Sequence, residues 1–493
     1  MAEYARQPTP TTRRPKISTP PTAQTAKTPR RRFQTVAPEE QTPVALPNLR
    51  LNKEVIAQVL PNATLETLAT QTQAQDERKR ELTCVVFFWL MILAVAPGGP
   101  LSLSAMVSLV VVAHGMAGLC ALQANLSRQA LSENLKLRPW QFFEAVLNHL
   151  LAVYAALVGS STPTLDLELI RRLLLVDATV MRVTDALLQV FPGHKTGRKA
   201  EWAAVKLHTA FRLFRSVPQV LAVTAEKVNE KSVSFLQPAG EKVLYVFDLG
   251  YWKYRLFDDI IALKQHFITR LREGCNPLIK EVYVGCQDWV GKRLKEITLV
   301  GEEVDLLVNL SSAGPSNPQM QHDVRLVGQQ VDGIWHLYVT SILDRVVYVA
   351  SLIAQIYALR WQIELFFRDL KCVLRMQNFI ATTENGIRIQ ICAALIFYVL
   401  THIIMLQAMP QVKTPVEEMS VPKCLTAMGQ ALVHETSELL IKGRQPDWTV
   451  LEERLIAIIV AIHPRPKRQQ PSRLAQGVSQ LLTQSVVPVG ASP

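Results

Sequence analysis

Three carboxylates in this 493-residue chain stand where an acid has a chemical reason to be: Asp177, Asp248 and Glu364. Asp177 interrupts the apolar, β-branched run LLLVDATVMRV (173–183), a costly position for a carboxylate unless it faces a cleft or a metal. Asp248 closes a second apolar run, KVLYVFD (242–248). Glu364 lies in YALRWQIELFFRDLK (357–371). At about 100° per residue, that segment puts Tyr357, Arg360, Trp361, Glu364, Arg368 and Lys371 on one side of a helix. Ile356, Leu359, Ile363, Phe366, Phe367, Leu370 and Leu374 fill the other side. Read alone, Arg360–Glu364 and Glu364–Arg368 are pairs four residues apart that stabilise any exposed helix by a few tenths of a kcal/mol. One acid among three cations and two aromatics also suits a metal-bound phosphodiester backbone.

Three carboxylates brought together repel one another and are stable only around divalent cations. Two ions about 3.5 to 4 Å apart can activate an attacking oxygen and stabilise a leaving oxygen on phosphate. Hard oxygen ligands favour Mg2+ or Mn2+. No Ser/His/Asp or Cys/His nucleophile pattern competes, and Gly193-His194-Lys195-Thr196-Gly197 lacks the spacing of a phosphate-binding loop. That stretch reads as a basic loop placing Lys195 near DNA.

The elements that must position these acids follow from hydrophobic period and turn residues. The strand around Asp177 is followed by two more (205–214 and 217–225), a short polar helical segment near Lys227 to Phe235, and the strand ending at Asp248. A helix (251–263) and a strand (266–271) come next, then short β-like runs through 345, including KEVYVG, KRLKEITLV, EVDLLVNLSS, HDVRLVG and GIWHLYVTSI. This order predicts an α/β protein: an RNase H-like core (166–273 and 346–410), a mainly β insertion (274–345), and a helical C-terminal region (411–463). Residues 464–493 read as a basic tail.

Upstream, residues 47–165 read as an α-helical DNA-binding domain with Arg128, Lys136 and Arg138 available for DNA. The apolar runs TCVVFFWLMILAVA (83–96) and 101–112, split by Pro97-Gly98-Gly99-Pro100, are each shorter than the roughly 20 residues that span a bilayer. They read as two packed helices; a membrane-associated protein is the rival. Residues 1–46, rich in Pro, Thr and Arg, read as a disordered basic arm.

The formal charge of +12 implies a polyanionic partner, with nucleic acid leading. Seven scattered cysteines give neither a zinc-knuckle spacing nor a disulfide framework, and the first 37 residues lack the apolar core of a signal peptide. The expectation is a cytoplasmic protein acting at the nucleoid, with no membrane partner.

Tyr357, Arg360, Glu364 and Lys371 meet, without a gap, the signature Tyr-x2-Arg-x3-Glu-x6-Lys. With VDATVM around Asp177, Asp248-Leu249-Gly250-Tyr251, and Lys206-Leu207-His208, the chain resembles the DDE transposases of bacterial insertion sequences, in particular the family-four group, over roughly residues 80–410. The resemblance implies a cut-and-paste transposase that binds terminal inverted repeats and cleaves and transfers strands. It also implies a homodimer in a synaptic complex with target DNA. Asp177, Asp248 and Glu364 would hold two Mg2+ or Mn2+ ions, while Tyr357, Arg360 and Lys371 grip phosphates. Arg368 and His208 join the DNA contacts, and Trp361, ahead of Trp335 and Trp289, would hold a flipped base. Leu249 departs from the family, where many members carry Arg. An inactive DNA-binding derivative is the alternative of another class.

Overall fold

Serine and threonine caps start many of the helices, because a side-chain oxygen accepts one of the free N–H groups of the first turn. Thr83 accepts from Val86, Ser102 from Ala105, Ser127 from Ala130 and Thr383 from Gly386. The computed structural model describes residues 55–75, 82–100, 102–117, 126–159, 168–194, 202–230, 234–311, 319–413, 416, 419–442 and 448–463. The expected basic arm (1–46), the tail (464–493) and Lys195 lie outside them.

Seven helices come first: α1 (Val55–Val59), α2 (Asn62–Gln71), α3 (Cys84–Val95), α4 (Leu103–Met106), α5 (Val110–Met116), α6 (Arg128–Leu137) and α7 (Trp140–Gly159). After α8 (Glu168–Arg171) come β1 (Leu173–Arg182), β2 (Ala204–Arg212), β3 (Val217–Ala225) and β4 (Leu244–Phe247). Then follow α9 (Tyr254–Ala262), β5 (His266–Arg270), β6 (Leu278–Val284), β7 (Glu303–Asn309), β8 (Val324–Val331) and β9 (Ile334–Thr340). The chain continues through α10 (Ala350–Ala358), α11 (Trp361–Arg368), α12 (Glu384–Val412), α13 (Val421–Ile441) and α14 (Trp448–Ile462).

The nine strands among the described residues form one sheet in the order β3-β2-β1-β4-β5-β9-β8-β7-β6. β1, β4 and β5 run parallel, and every other pairing is antiparallel. The strands expected as an insertion thus extend the same sheet through the β5–β9 pairing. One expected strand is absent: KRLKEITLV (292–300) holds a 3-10 turn, Leu294–Glu296. There Glu296 accepts the backbone N–H of Arg293, whose guanidinium donates to the carbonyls of Asn276 and Ser311. The segment meets the start of β6 through only a short antiparallel bridge, Leu294 N–H donating to the Pro277 carbonyl and Ile279 N–H to the Lys292 carbonyl.

α12 is apolar all round, as a helix must be that has protein on every side. It packs against α7, α14 and α3. α7 and α12 are long and apolar enough to cross a membrane, yet the apolar window of α12 is entirely buried within the protein. All twelve residues of α3, the run that raised the membrane reading, are buried as well. Asn385 latches the head of α12 to the α6–α7 turn, donating to the carbonyls of Leu135 and Arg138 and accepting from Trp140 N–H. Arg128 and Lys136 are exposed on α6. Arg138 is not available for DNA as expected. It is 6 % exposed and donates to the carbonyls of Ala74 and Leu82, tying α2, α3 and α6 together.

Candidate active site

The register of two parallel neighbours places the first two acids side by side. Val176 of β1 pairs with Phe247 of β4, so the next residue on each chain, Asp177 and Asp248, emerges at the same seam. One oxygen of each carboxylate is held by backbone: Asp177 accepts from Ala178 N–H at 2.7 Å and Asp248 from Leu249 N–H at 2.8 Å. Leu249, at the position where the resemblance expects Arg, packs against the sheet core.

Glu364 arrives from the helical side. All seven apolar residues expected on the inner face, from Ile356 to Leu374, are buried. Phe366 stacks against Phe211 of β2 at 4.9 Å and meets Tyr398 of α12 at 5.1 Å, which seats α11 beside β1. The expected single helix over 357–371 is broken, however. At Leu359 and Arg360 the backbone bonds tighten to the i to i+3 pattern, separating α10 from α11. Residues Asp369–Val373 then widen into a π-turn. α10 packs on β8, β5 and β7 while α11 packs on β1, and one straight helix does not serve both beds.

The break turns the two flanking aromatics apart. Tyr357 is 8 % exposed with its ring 5.1 Å from Tyr338, whereas Trp361 is 51 % exposed. Trp289 is buried against Gly285 and Trp335 packs on the sheet core, which leaves Trp361 as the exposed aromatic of the three expected candidates. Arg368 is largely exposed, 3.4 Å from Asp369. Lys371, on the π-turn, is partly buried, and that burial lowers its pKa.

Arg360 links the acids. Its guanidinium lies 2.6 Å from Glu364 Oε1 and 3.6 Å from Asp177 Oδ2. Burial opposes its charge, but the hydrogen bond to Glu364 and the charges of Tyr357 and Asp248 outweigh that and raise its pKa. Burial pushes Asp177 up to about 6 and Tyr357 up to about 12. For Asp177, Ala178 N–H and Arg360 pull the other way, and the charges of Asp248 and Glu230 push further up. Among the described residues no three His, Cys, Asp or Glu side chains are already gathered around one ion position.

His208 is a correction to the expected DNA contacts. It is 3 % exposed inside the sheet, its Nε2 2.9 Å from Thr224 Oγ1, and burial followed by the charge of Lys206 lowers its pKa to about 4. A neutral, enclosed imidazole offers a phosphate nothing. Two residues escaped the sequence reading as site groups: Glu230, just beyond β3, and Lys206, which was noted only within its Lys-Leu-His motif. Their Nζ–Oε1 distance is 3.4 Å. The sequence reading put Glu230 in a short polar helical segment, which forms no α-helix over 227–230, and an acid in such a segment is imitated by any polar surface residue.

Residues 168–400, which hold all three acids, match the family model of the transposase DDE domain. A putative transposase, y4zB, of Sinorhizobium fredii is 29% identical over 216 residues, 42% of this chain and 57% of the relative. A probable transposase for insertion sequence element IS5377 of Geobacillus stearothermophilus is 26% identical over 261 residues, 52% of this chain and 62% of the relative. The chain thus spans less than two thirds of the length of either relative. A solved piggyBac transposase synaptic complex with hairpin DNA superposes with a TM-score of 0.38 at 11% identity, covering 89% of this chain and 87% of that one.

Proposed function

We propose that this chain is a cut-and-paste DNA transposase of the insertion-sequence type, cleaving and transferring DNA strands with two divalent cations on an RNase H-like core. The observation that carries the reading is the meeting of Asp177 and Asp248 at the β1–β4 seam, with Glu364 tied to them through Arg360. The strand order β3-β2-β1-β4-β5 around that seam supports the RNase H-like assignment.

The donor set fits Mg2+ or Mn2+. It is all hard oxygen, backbone N–H groups orient one oxygen each of Asp177 and Asp248, and Asp177 is buried enough that its charge calls for a cation. Asp177, Asp248 and Glu364 would hold the ions. Bound there, the ions supply activation of the attacking oxygen and stabilisation of the leaving oxygen in an in-line displacement. Arg360 fixes Asp177 and Glu364 relative to each other and, with DNA present, offers its guanidinium fork to a phosphate beside them. Tyr357 orients Arg360, Lys371 and Arg368 add phosphate contacts, and Trp361 offers a stacking face to a base. Lys195, outside the described residues, is assigned a further phosphate contact from the sequence.

In this reading the helical residues 47–165 bind the terminal repeats, residues 274–345 form the β insertion, and a homodimer in the cytoplasm brings two ends to target DNA. The test is strand cleavage and joining on DNA carrying the element's own terminal inverted repeats, with Mg2+ or Mn2+, for the wild type and Glu364→Ala. Product from the wild type alone supports it; two equally inert proteins on cognate ends sink it.

Lys371→Ala is expected to weaken end binding and to lower the slope of log affinity against log salt by about one phosphate contact. Fluorescence anisotropy on end DNA at several salt concentrations measures that slope. An unchanged slope removes Lys371 from the phosphate contacts.

A further inference from the structure

Glu230 lies against the turn that follows Asp248, and its charge reaches Asp177. Its Oε1 lies 3.4 Å from Nζ of Lys206, an 8 % exposed lysine on β2 that also donates to the carbonyl of Val228. Its Oε2 occupies the space over Gly250, where an added Cβ would come within 2.1 Å of it. Gly250 has no left-handed backbone to explain it. What excludes a side chain there is the approach of the Glu230 carboxylate, and Gly250 sits in the turn that Asp248 caps.

A plain structural ion pair on the sheet would account for Lys206, but not for a carboxylate pressed onto the turn of the second acid. Two buried polar atoms lie near the acids. The hydroxyl of Tyr251, 1 % exposed and under the charges of Glu230 and Asp177, has no hydrogen-bond partner among the described residues. The same holds for the hydroxyl of Thr209, 2 % exposed and paired in register with Asp177. Orphaned buried donors beside a cluster of acids indicate a site that is completed by a further group.

We infer that Glu230 is a fourth carboxylate of this site: held by Lys206 against Gly250, it fixes the Asp248 turn and adds negative charge to the field that recruits the divalent cations. It is a positioning residue, acting through Asp248, and the inference rests on the two-cation reading above.

Mn2+ binding to the metal-free full-length protein, followed by calorimetry, reads this directly. Glu230→Gln is expected to fold and to bind Mn2+ about tenfold more weakly, while Glu230→Asp, which keeps the charge but draws the carboxylate back from Gly250, should fall between that variant and the wild type. Gly250→Ala, which keeps every charge and displaces the carboxylate, is expected to weaken Mn2+ binding similarly. In a Glu230→Ala background the same Gly250→Ala change should add little, because the two residues act through one contact. A folded Glu230→Gln protein with wild-type Mn2+ affinity overturns the inference, as do Gly250→Ala and Glu230→Ala losses that simply add. Should Glu230→Gln not fold, unchanged Mn2+ binding in Gly250→Ala overturns it equally. The two readings fail separately. Wild-type cleavage that Glu364→Ala abolishes, beside wild-type Mn2+ affinity in Glu230→Gln, removes only Glu230. A wild type that neither binds Mn2+ nor cleaves removes both.

Discussion

Asp177→Asn is expected to lose strand cleavage by about 10³-fold or more and, without metal at neutral pH, to be more stable than the wild type. The activity loss follows from removing several kcal/mol of charge stabilisation at the reacting phosphate, about 1.4 kcal/mol for each tenfold in rate. The stability gain follows from the direction of the pKa shift. Asp177 is raised from 3.8 to about 6, chiefly by burial, so the folded state holds its proton more tightly than the unfolded chain does. Below about pH 4 both states are protonated and the group costs nothing. Between about pH 4 and 6 the unfolded chain ionises first, and folding stability falls as pH rises. Above pH 6 the full penalty is in place, of the order of 3 kcal/mol at about 1.4 kcal/mol per pH unit. An asparagine never ionises, so the advantage of the variant should open between pH 4 and 6 and stay constant above. Chemical denaturation in a chelator at pH 4, 5, 6 and 7 measures it. Added Mn2+ should stabilise the wild type and not the variant. A variant less stable than the wild type at pH 7 would show that Arg360 and Ala178 N–H outweigh burial at Asp177.

Arg325→Met is expected to produce the largest loss of stability. Arg325, 1 % exposed on β8, donates through Nε and Nη2 to both oxygens of Asp305 at 2.9 and 2.7 Å, and through Nη1 to the carbonyl of Tyr348 at 2.6 Å. Tyr348 lies two residues ahead of α10, so this bond fixes where the helical segment carrying Arg360 and Glu364 leaves the sheet. Removing the guanidinium strands Asp305, 4 % exposed, as an unpaired buried charge. That costs about 3 to 5 kcal/mol, or a fall in melting temperature of roughly 3 to 5 °C for a chain of this length. Replacing both partners, Asp305→Leu with Arg325→Met, should recover most of the stability, because two apolar groups leave no buried charge behind. The bond to Tyr348 stays lost in the double variant, so cleavage should remain impaired where stability is restored. Thermal melts of the three proteins decide it; a single variant as stable as the wild type would show that Asp305 finds another partner.

Much of the candidate site was legible in the sequence because its signals are local. A residue period near 3.6 marked the buried face from Ile356 to Leu374. An acid inside one apolar run and an acid ending another marked Asp177 and Asp248, and the structure sets these two at one seam. Those patterns depend only on neighbours along the chain, and burial then follows the period.

Tertiary packing decided the rest, since it depends on partners far away in sequence. Nothing between Tyr357 and Arg360 is a helix breaker; the break comes from seating α10 on β8 and α11 on β1. The alternation in KRLKEITLV looked like a strand, but the turn at Leu294–Glu296, anchored by Arg293 to the distant carbonyls of Asn276 and Ser311, interrupts it. Arg138 looked like a surface cation, and two carbonyls from distant segments drew it inside. Glu230 looked like an ordinary acid of a short polar helical segment, and only the fold brings it to Lys206 and Gly250. By itself the sequence determined which residues are acids at strand positions and which face of the 357–371 segment is buried, because periodicity and charge are written in consecutive residues. That Asp177 meets Asp248, that Arg360 joins Glu364 to Asp177, and that Glu230 reaches Gly250 was decided only when parallel pairing and helix docking brought separate segments within a few ångströms.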